Sequence, residues 1–70
     1  MIYREVATKL HRLGCDEEPR RGGGSHRKWR NPTTGQRTSL PDWGPKDLKI
    51  GTLHAAVRKL GLTWHAFEEA

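Results

Sequence analysis

The chain has 70 residues, which is the size of one small domain over residues 1–70 and leaves no room for a second core. It carries 13 Lys and Arg against 8 Asp and Glu, so an anionic partner is expected and nucleic acid fits best. Charge alone is equally compatible with a soluble domain that happens to be basic. Cys15 is the only cysteine, which excludes an internal disulfide and suits a reducing compartment. No stretch has the apolar length of a signal-peptide core or a membrane span, so we predict a cytoplasmic protein without a membrane partner.

The positive charge is concentrated near the middle of the sequence. Residues 20–30 contain several cations and no acidic residue. Acidic residues lie before this stretch at 16–18 and near the end of the sequence at 68 and 69. This distribution predicts one basic surface in place of an evenly mixed exterior. The clustered cations are Arg20, Arg21, Arg27, Lys28 and Arg30.

The first predicted element is an amphipathic helix from about Ile2 to Leu13, because apolar residues recur there at intervals of three and four. Gly14 supplies the stop. Residues 15–24 are less regular, since Pro19 confines any strand here to a sheet edge and the glycines at 22–24 predict a turn. A glycine-rich loop can also cradle phosphate, but no P-loop Lys-Ser/Thr pair follows this one.

A hairpin is predicted over residues 25–40. Strand alternation makes Trp29 the core anchor of its first strand, which turns the other face toward solvent. The residues predicted on that solvent face are His26, Lys28 and Arg30. Turn-forming residues follow at 31–35, and the returning strand places Thr38 and Leu40 inward.

The spacing of apolar residues predicts a second helix after residue 48. Its apolar stripe is formed by Ile50, Leu53, Ala56, Val57 and Leu60. Thr63 is predicted to cap a short last helix, in which Trp64 and Phe67 pack back on the core. Trp43, in the loop before the second helix, either stacks on a base or covers the core, and we favour the core. The order of elements predicts an α+β domain with helices on one face of a small antiparallel sheet and the other face open to a ligand.

Several short motifs occur in a fixed order along nearly the whole chain. They are Gly24-Ser25-His26 followed by Trp29, Pro41 after the hairpin, Lys46-Asp47-Leu48-Lys49 running into Gly51-Thr52-Leu53, and Leu60-Gly61-Leu62 with Phe67 near the end. No single motif is specific. The ordered set, at this spacing and in a chain of this length, resembles the HicA family of toxin mRNA interferases, also called the YcfA-like family.

The resemblance implies an α-β-β-β-α fold like that of double-stranded-RNA-binding domains, ribonuclease activity on mRNA, and a HicB-like antitoxin as partner. The catalytic histidine of the family falls on His26. The chain departs from the family pattern at residues 16–21, which are charged and broken by Pro19, so the first strand is expected to be short or absent. Trp43 stands near the place where the family often carries a second histidine. Homo- and hetero-oligomers are both compatible with the sequence.

His26 has the chemistry of a general acid and base for RNA cleavage. An imidazole titrates near neutral pH, so it can take the proton of a ribose 2′-hydroxyl as that oxygen attacks the neighbouring phosphate. Cleavage of this kind needs no metal or other cofactor and leaves a 2′,3′-cyclic phosphate. Without the family resemblance, a structural or phosphate-contacting histidine would be the better interpretation. The residues expected to bind the RNA are Ser25, Arg27, Lys28, Arg30, Lys46 and Lys49.

The two lysines Lys46 and Lys49 have two interpretations. With the positive end of the second helix they form a phosphate clamp, or they are solvated lysines at a helix start. His11 and His65 are expected at the surface or the core boundary, and nothing in the sequence fixes the direction of His54. A zinc site built from these histidines and the cysteine lacks ligand spacing, and the aspartates at 42 and 47 are weak evidence for Mg²⁺.

Two other classes of function stay open on the sequence. The first is a non-catalytic RNA-binding module of the same fold, in which His26 only contacts phosphate. The second is an interaction subunit whose basic face binds an acidic partner. That subunit would show little salt-dependent affinity for RNA, whereas phosphate contacts give a steep salt dependence.

Overall fold

The computed structural model describes residues 1–19 and 24–70. The sequence predictions for Arg20, Arg21 and the turn at Gly22 and Gly23 lie outside the described residues. Within them, the elements in chain order are α1 (Tyr3–Arg12), β1 (Asp16–Glu17), β2 (His26–Arg30), β3 (Arg37–Pro41), α2 (Ile50–Lys59) and α3 (Trp64–Glu69). This order confirms the predicted α+β class and the α-β-β-β-α arrangement, which a short C-terminal helix extends.

The sheet is antiparallel, with the strand order β1-β2-β3. β1 is a two-residue edge strand, in agreement with the expectation of a short first strand. It pairs Asp16 with Arg30 and Glu17 with Trp29. The Glu18 N–H donates to the Lys28 carbonyl at 2.7 Å and extends the pairing by one residue. Regular pairing ends before Pro19, which has no N–H to donate.

The core lies between one face of the sheet and the helices. Because β2 pairs with β3 in register, Trp29 and Leu40 share this face and both are fully buried. The helices contribute Tyr3, Val6, Leu10, Leu53, Ala56, Val57 and Phe67, and Leu60 follows directly after α2. Removing a buried indole costs about 3–5 kcal/mol, which is a large share of the stability of so short a chain. Trp29 therefore fixes which face of β2 is buried and which is left to solvent.

Two apolar residues predicted in the core lie on the surface. Ile50 is the first residue of α2 and is 62 % exposed, because Leu48 in the extended segment before the helix takes the core position. The Leu48 N–H donates to the Met1 carbonyl at 2.9 Å and holds that segment against the start of α1. Trp43 is 39 % exposed, in a turn where the Gly44 N–H donates to the Asp42 carboxylate at 3.0 Å.

The C-terminal helix is fixed at both ends. The Thr63 hydroxyl accepts a hydrogen bond from the Ala66 N–H at 3.1 Å, which confirms the predicted cap. At the other end, the Lys9 ammonium donates to the carbonyls of Phe67, Glu68 and Ala70. The Phe67 carbonyl also accepts from the Ala70 N–H at 3.3 Å. The short helix α3 is thereby tied to α1.

No helix in the described ranges 1–19 and 24–70 is long and apolar enough to cross a membrane.

Candidate functional site

His26 lies at one corner of the sheet, where β2 begins and β3 ends. The register pairs it with Pro41, and the Asp42 N–H beyond this pair donates to the Ser25 carbonyl. The imidazole is exposed on the face of the sheet opposite the helices. Among the described residues, its side chain forms no hydrogen bond, ion pair or ring contact. The ring is therefore accessible to a ligand, and either ring nitrogen can carry the proton of the neutral form.

The solvent-facing side of the sheet, here called the open face, combines cations with carboxylates. Its described side chains are Asp16 and Glu18 beside β2, His26, Lys28 and Arg30 on β2, and Arg37, Ser39 and Pro41 on β3. The antiparallel pairing of β1 with β2 places Asp16 opposite Arg30 and Glu18 opposite Lys28. The acids and cations that are separated in the sequence are thus neighbours across the sheet. The predicted basic surface is therefore mixed in this part of the face, where cations remain in excess.

Arg27 points to the helix side of the sheet and is engaged by two carboxylates. Its guanidinium donates to Glu17 at 2.8 Å and to Asp42 at 3.2 Å, and it lies over the Tyr3 ring. The hydrogen bond to Glu17 raises the pKa of the guanidinium. These contacts link β1 and the loop after β3 to the residue next to His26. The two carboxylates therefore give Arg27 a structural role in the fold.

Tyr3 connects the same network to the core. Its hydroxyl accepts a hydrogen bond from the buried Trp29 indole N–H at 3.0 Å and donates to Glu17. Burial, followed by the hydrogen bond to Glu17, raises the pKa of the Tyr3 phenol, so the hydroxyl stays protonated as the donor. The network holds β2 from behind while His26 faces outward. No spacing in the sequence connects Tyr3 with Glu17, so this support could not be predicted.

The predicted phosphate clamp lies along the loop that leaves the His26 corner. Lys46 is exposed within this loop, and Lys49 is exposed directly before α2. The first turn of α2 carries no acidic residue that would neutralise its positive end. Asp47 is occupied by the terminal amine of Met1 at 2.8 Å. The loop thus carries two available cations at the start of a helix.

The other histidines are separate from the open face. His11 meets the Trp29 ring edge-on at 4.9 Å between ring centroids, and His54 stacks on Trp64 at 3.7 Å. His54 therefore faces α3, and His65 is exposed on that helix. Burial raises the pKa of the Cys15 thiol, which is inaccessible in the core. Within residues 1–19 and 24–70, no group of three or more His, Cys, Asp or Glu is arranged to hold a metal ion.

The sequence interpretation did not place four side chains on the open face: Asp16, Glu18, Arg37 and Ser39. The signal was present for two of them, because the alternation that turns Leu40 inward turns Arg37 and Ser39 outward. Asp16 and Glu18 have no such local signal, since their positions depend on the pairing of β1.

The fold and the exposed corner histidine define a small α+β domain with one face of its sheet open to solvent. A family model described as the HicA toxin of bacterial toxin–antitoxin systems matches residues 3–62. The chain belongs to this HicA toxin family. It is accordingly the toxin of a toxin–antitoxin system, and the family implies a cognate antitoxin as partner. A comparison with curated proteins gives no match.

Proposed function

We propose that this toxin is a metal-independent endoribonuclease that cleaves mRNA, with His26 as its general acid and base. The observation that carries the proposal is the position of His26, exposed at the corner of a cation-rich sheet face and without a side-chain partner among the described residues. A structural histidine in a small domain is expected to pack or to hydrogen-bond, as His11 and His54 do through ring contacts.

The proposed reaction needs one imidazole and an RNA substrate. Neutral His26 takes the proton of a ribose 2′-hydroxyl while that oxygen forms a bond to the adjacent phosphorus. The bond from phosphorus to the 5′-oxygen breaks, and protonated His26 returns the proton to this leaving oxygen. The products are a 2′,3′-cyclic phosphate and a 5′-hydroxyl. Positioned proton transfer of this kind contributes about 10²–10⁴ in rate.

Lys28 is the cation best placed to assist the reaction. It is the next residue after His26 on the open face, about 7 Å further along the strand. Its ammonium would stabilise the negative charge that develops on the phosphate oxygens. Arg30 lies one further step along the same face. Both side chains are free of hydrogen bonds and ion pairs among the described residues.

The remaining contacts of the proposed RNA path lie along the loop. Lys46 and Lys49 would bind flanking phosphates, aided by the positive end of α2. Ser25, exposed directly before β2, would contact the nucleotide at His26. Arg27 is left out of this set because Glu17 and Asp42 already hold its guanidinium.

The test is cleavage of a long single-stranded RNA in the presence of EDTA. The wild type should cut, His26→Ala should not, and the control His65→Ala, which changes an exposed histidine on α3, should cut at the wild-type rate. Equal cutting by the wild type and His26→Ala would place the chemistry elsewhere. If no variant cuts but all bind RNA with a steep salt dependence, the chain is a non-catalytic RNA-binding module.

The proposed site also predicts how the antitoxin acts. A partner that covers the open face would block access to His26, so the purified complex should be inactive on the same RNA. Cleavage by the complex at the rate of the free toxin would contradict this.

A further inference from the structure

A shallow depression lies on the open face, next to the proposed catalytic histidine. Its volume is about 280 Å³, and Glu18, Lys28, Arg37, Thr38 and Ser39 line it. The strand register explains the arrangement, because Glu18 and Ser39 flank Lys28 from opposite sides. The depression is open to solvent and large enough for a planar base.

The Glu18 carboxylate lines this depression, and its two oxygens have different surroundings. Glu18 Oε1 is buried, and it accepts no hydrogen bond in the described part of the chain. Arg37 Nε lies 3.0 Å away and balances its charge, although its N–H is not directed at the oxygen. Glu18 Oε2 is neither enclosed nor hydrogen-bonded among the described residues, so it is the oxygen that can accept from a ligand N–H. The Lys28 ammonium beside it is a donor for an oxygen of the same ligand.

The distance from His26 suits a neighbouring nucleotide. Lys28 follows His26 on the same face of β2, about 7 Å along the strand. This is similar to the separation of adjacent nucleotides in an extended single strand. A phosphate at His26 therefore brings the base of an adjoining nucleotide to the depression. Single-stranded RNA is read in this way, with unstacked bases bound through their Watson–Crick edges.

We infer that this depression is a base-recognition subsite for guanine, one nucleotide away from the bond cleaved at His26. The inference rests on the proposed function. Guanine presents two adjacent donors, N1–H and the 2-amino group, to a carboxylate such as that of Glu18. Its O6 accepts from a neighbouring cation such as Lys28. Adenine and cytosine each place an acceptor beside their amino group. That acceptor would face the carboxylate and be repelled by it.

The test compares two variants that each remove one negative charge from the open face. Glu18→Gln changes the depression, and Asp16→Asn changes the carboxylate opposite Arg30, which does not line it. Both variants should bind RNA somewhat more tightly, because each loses a negative charge that repels the phosphates of the RNA. Sequencing of fragment ends from a random single-stranded RNA should show guanine at one fixed position next to the cut. That preference should fall about tenfold in Glu18→Gln and persist in Asp16→Asn.

A second measurement changes the substrate and leaves the protein as it is. Replacing the guanosine by inosine removes the 2-amino group, and kcat/KM of the wild type should fall about tenfold while that of Glu18→Gln changes little. No base preference in the wild type, preference for another base, or preference that survives in Glu18→Gln would overturn the inference. A wild type that cuts nothing would instead refute the proposed function. The subsite would then be tested by binding of guanosine- and inosine-containing oligonucleotides, and equal affinities would overturn it.

Discussion

The hydrogen bonds of Tyr3 that hold β2 from the helix side can be tested by removing one oxygen atom. Tyr3→Phe deletes the hydroxyl that accepts from the Trp29 indole N–H at 3.0 Å. Trp29 is fully buried, so its N–H is left without this acceptor in the core. Glu17 keeps its bond to Arg27 at 2.8 Å. A buried donor without a partner costs about 1–3 kcal/mol, and a loss of about 2 kcal/mol lowers Tm by roughly 8–16 °C in a chain of this size.

The assay is thermal and urea unfolding near neutral pH. RNA cleavage measured well below Tm should be unchanged, because His26 lies on the opposite face of the sheet. A Tm equal to that of the wild type would refute the reasoning, since it would mean that Trp29 N–H does not depend on Tyr3.

The Tyr3 hydroxyl also makes the stability of the fold depend on pH in the alkaline range. The folded chain holds the Tyr3 pKa above its ordinary value of 10.0, chiefly through burial. Between that value and the folded one, the unfolded chain has lost the proton and the folded chain retains it. The stabilisation is therefore complete below about pH 10 and is lost as the pH rises further. Tyr3 is the only tyrosine, so tyrosinate absorbance reports it directly and should appear together with unfolding. Tyrosinate formation in the folded protein near pH 10 would contradict a buried phenol.

Four further substitutions have expected outcomes. Asn31 is buried, and its amide donates to the carbonyl at the end of α2 at 2.7 Å, so Asn31→Ala should lower the free energy of unfolding by about 1–3 kcal/mol in urea titrations. Thr34→Ala removes a longer contact of 3.4 Å to the same carbonyl and an exposed hydrogen bond from the Gln36 N–H at 3.2 Å, and it should still cost clearly less; an equal loss would contradict the assignment. Thr63→Ala removes the cap of α3 and should cost about 1 kcal/mol, measured in the same way, whereas no loss would mean that Lys9 alone fixes this helix. Lys28→Ala should slow cleavage and reduce the salt slope of RNA binding by about one, and the control Lys59→Ala should leave both unchanged; identical slopes would exclude a phosphate contact at Lys28.

The helices and the strand faces were predictable because they follow from local periodicity. The three- and four-residue spacing placed α1 within a residue at each end, and the alternation around Trp29 assigned the buried face of β2 correctly. The same reasoning failed at Ile50, where the apolar pattern was extended back into the first turn. The extended segment before α2 brings Leu48 into the core instead, and a helical pattern does not anticipate that.

The chemistry of the open face was less predictable because it depends on pairing between distant residues. The acids at Asp16 and Glu18 face the cations of β2 only through the register of a two-residue strand. The sequence gives no sign that Arg27 is paired, yet its guanidinium forms ion pairs with Glu17 and Asp42 in the fold. His26 was singled out by the family resemblance, and strand alternation predicted that it faces solvent. The structure adds its position at the sheet corner, where it pairs with Pro41.

The chemical ends of the RNA fragments test the central claim most directly. Mass spectrometry of products formed by the wild type in EDTA should find 2′,3′-cyclic phosphates and 5′-hydroxyls, and His26→Ala should form neither. Fragments that end in 3′-hydroxyls and 5′-phosphates would mean that water, and not the ribose 2′-hydroxyl, attacks the phosphate, and would contradict the role given to His26.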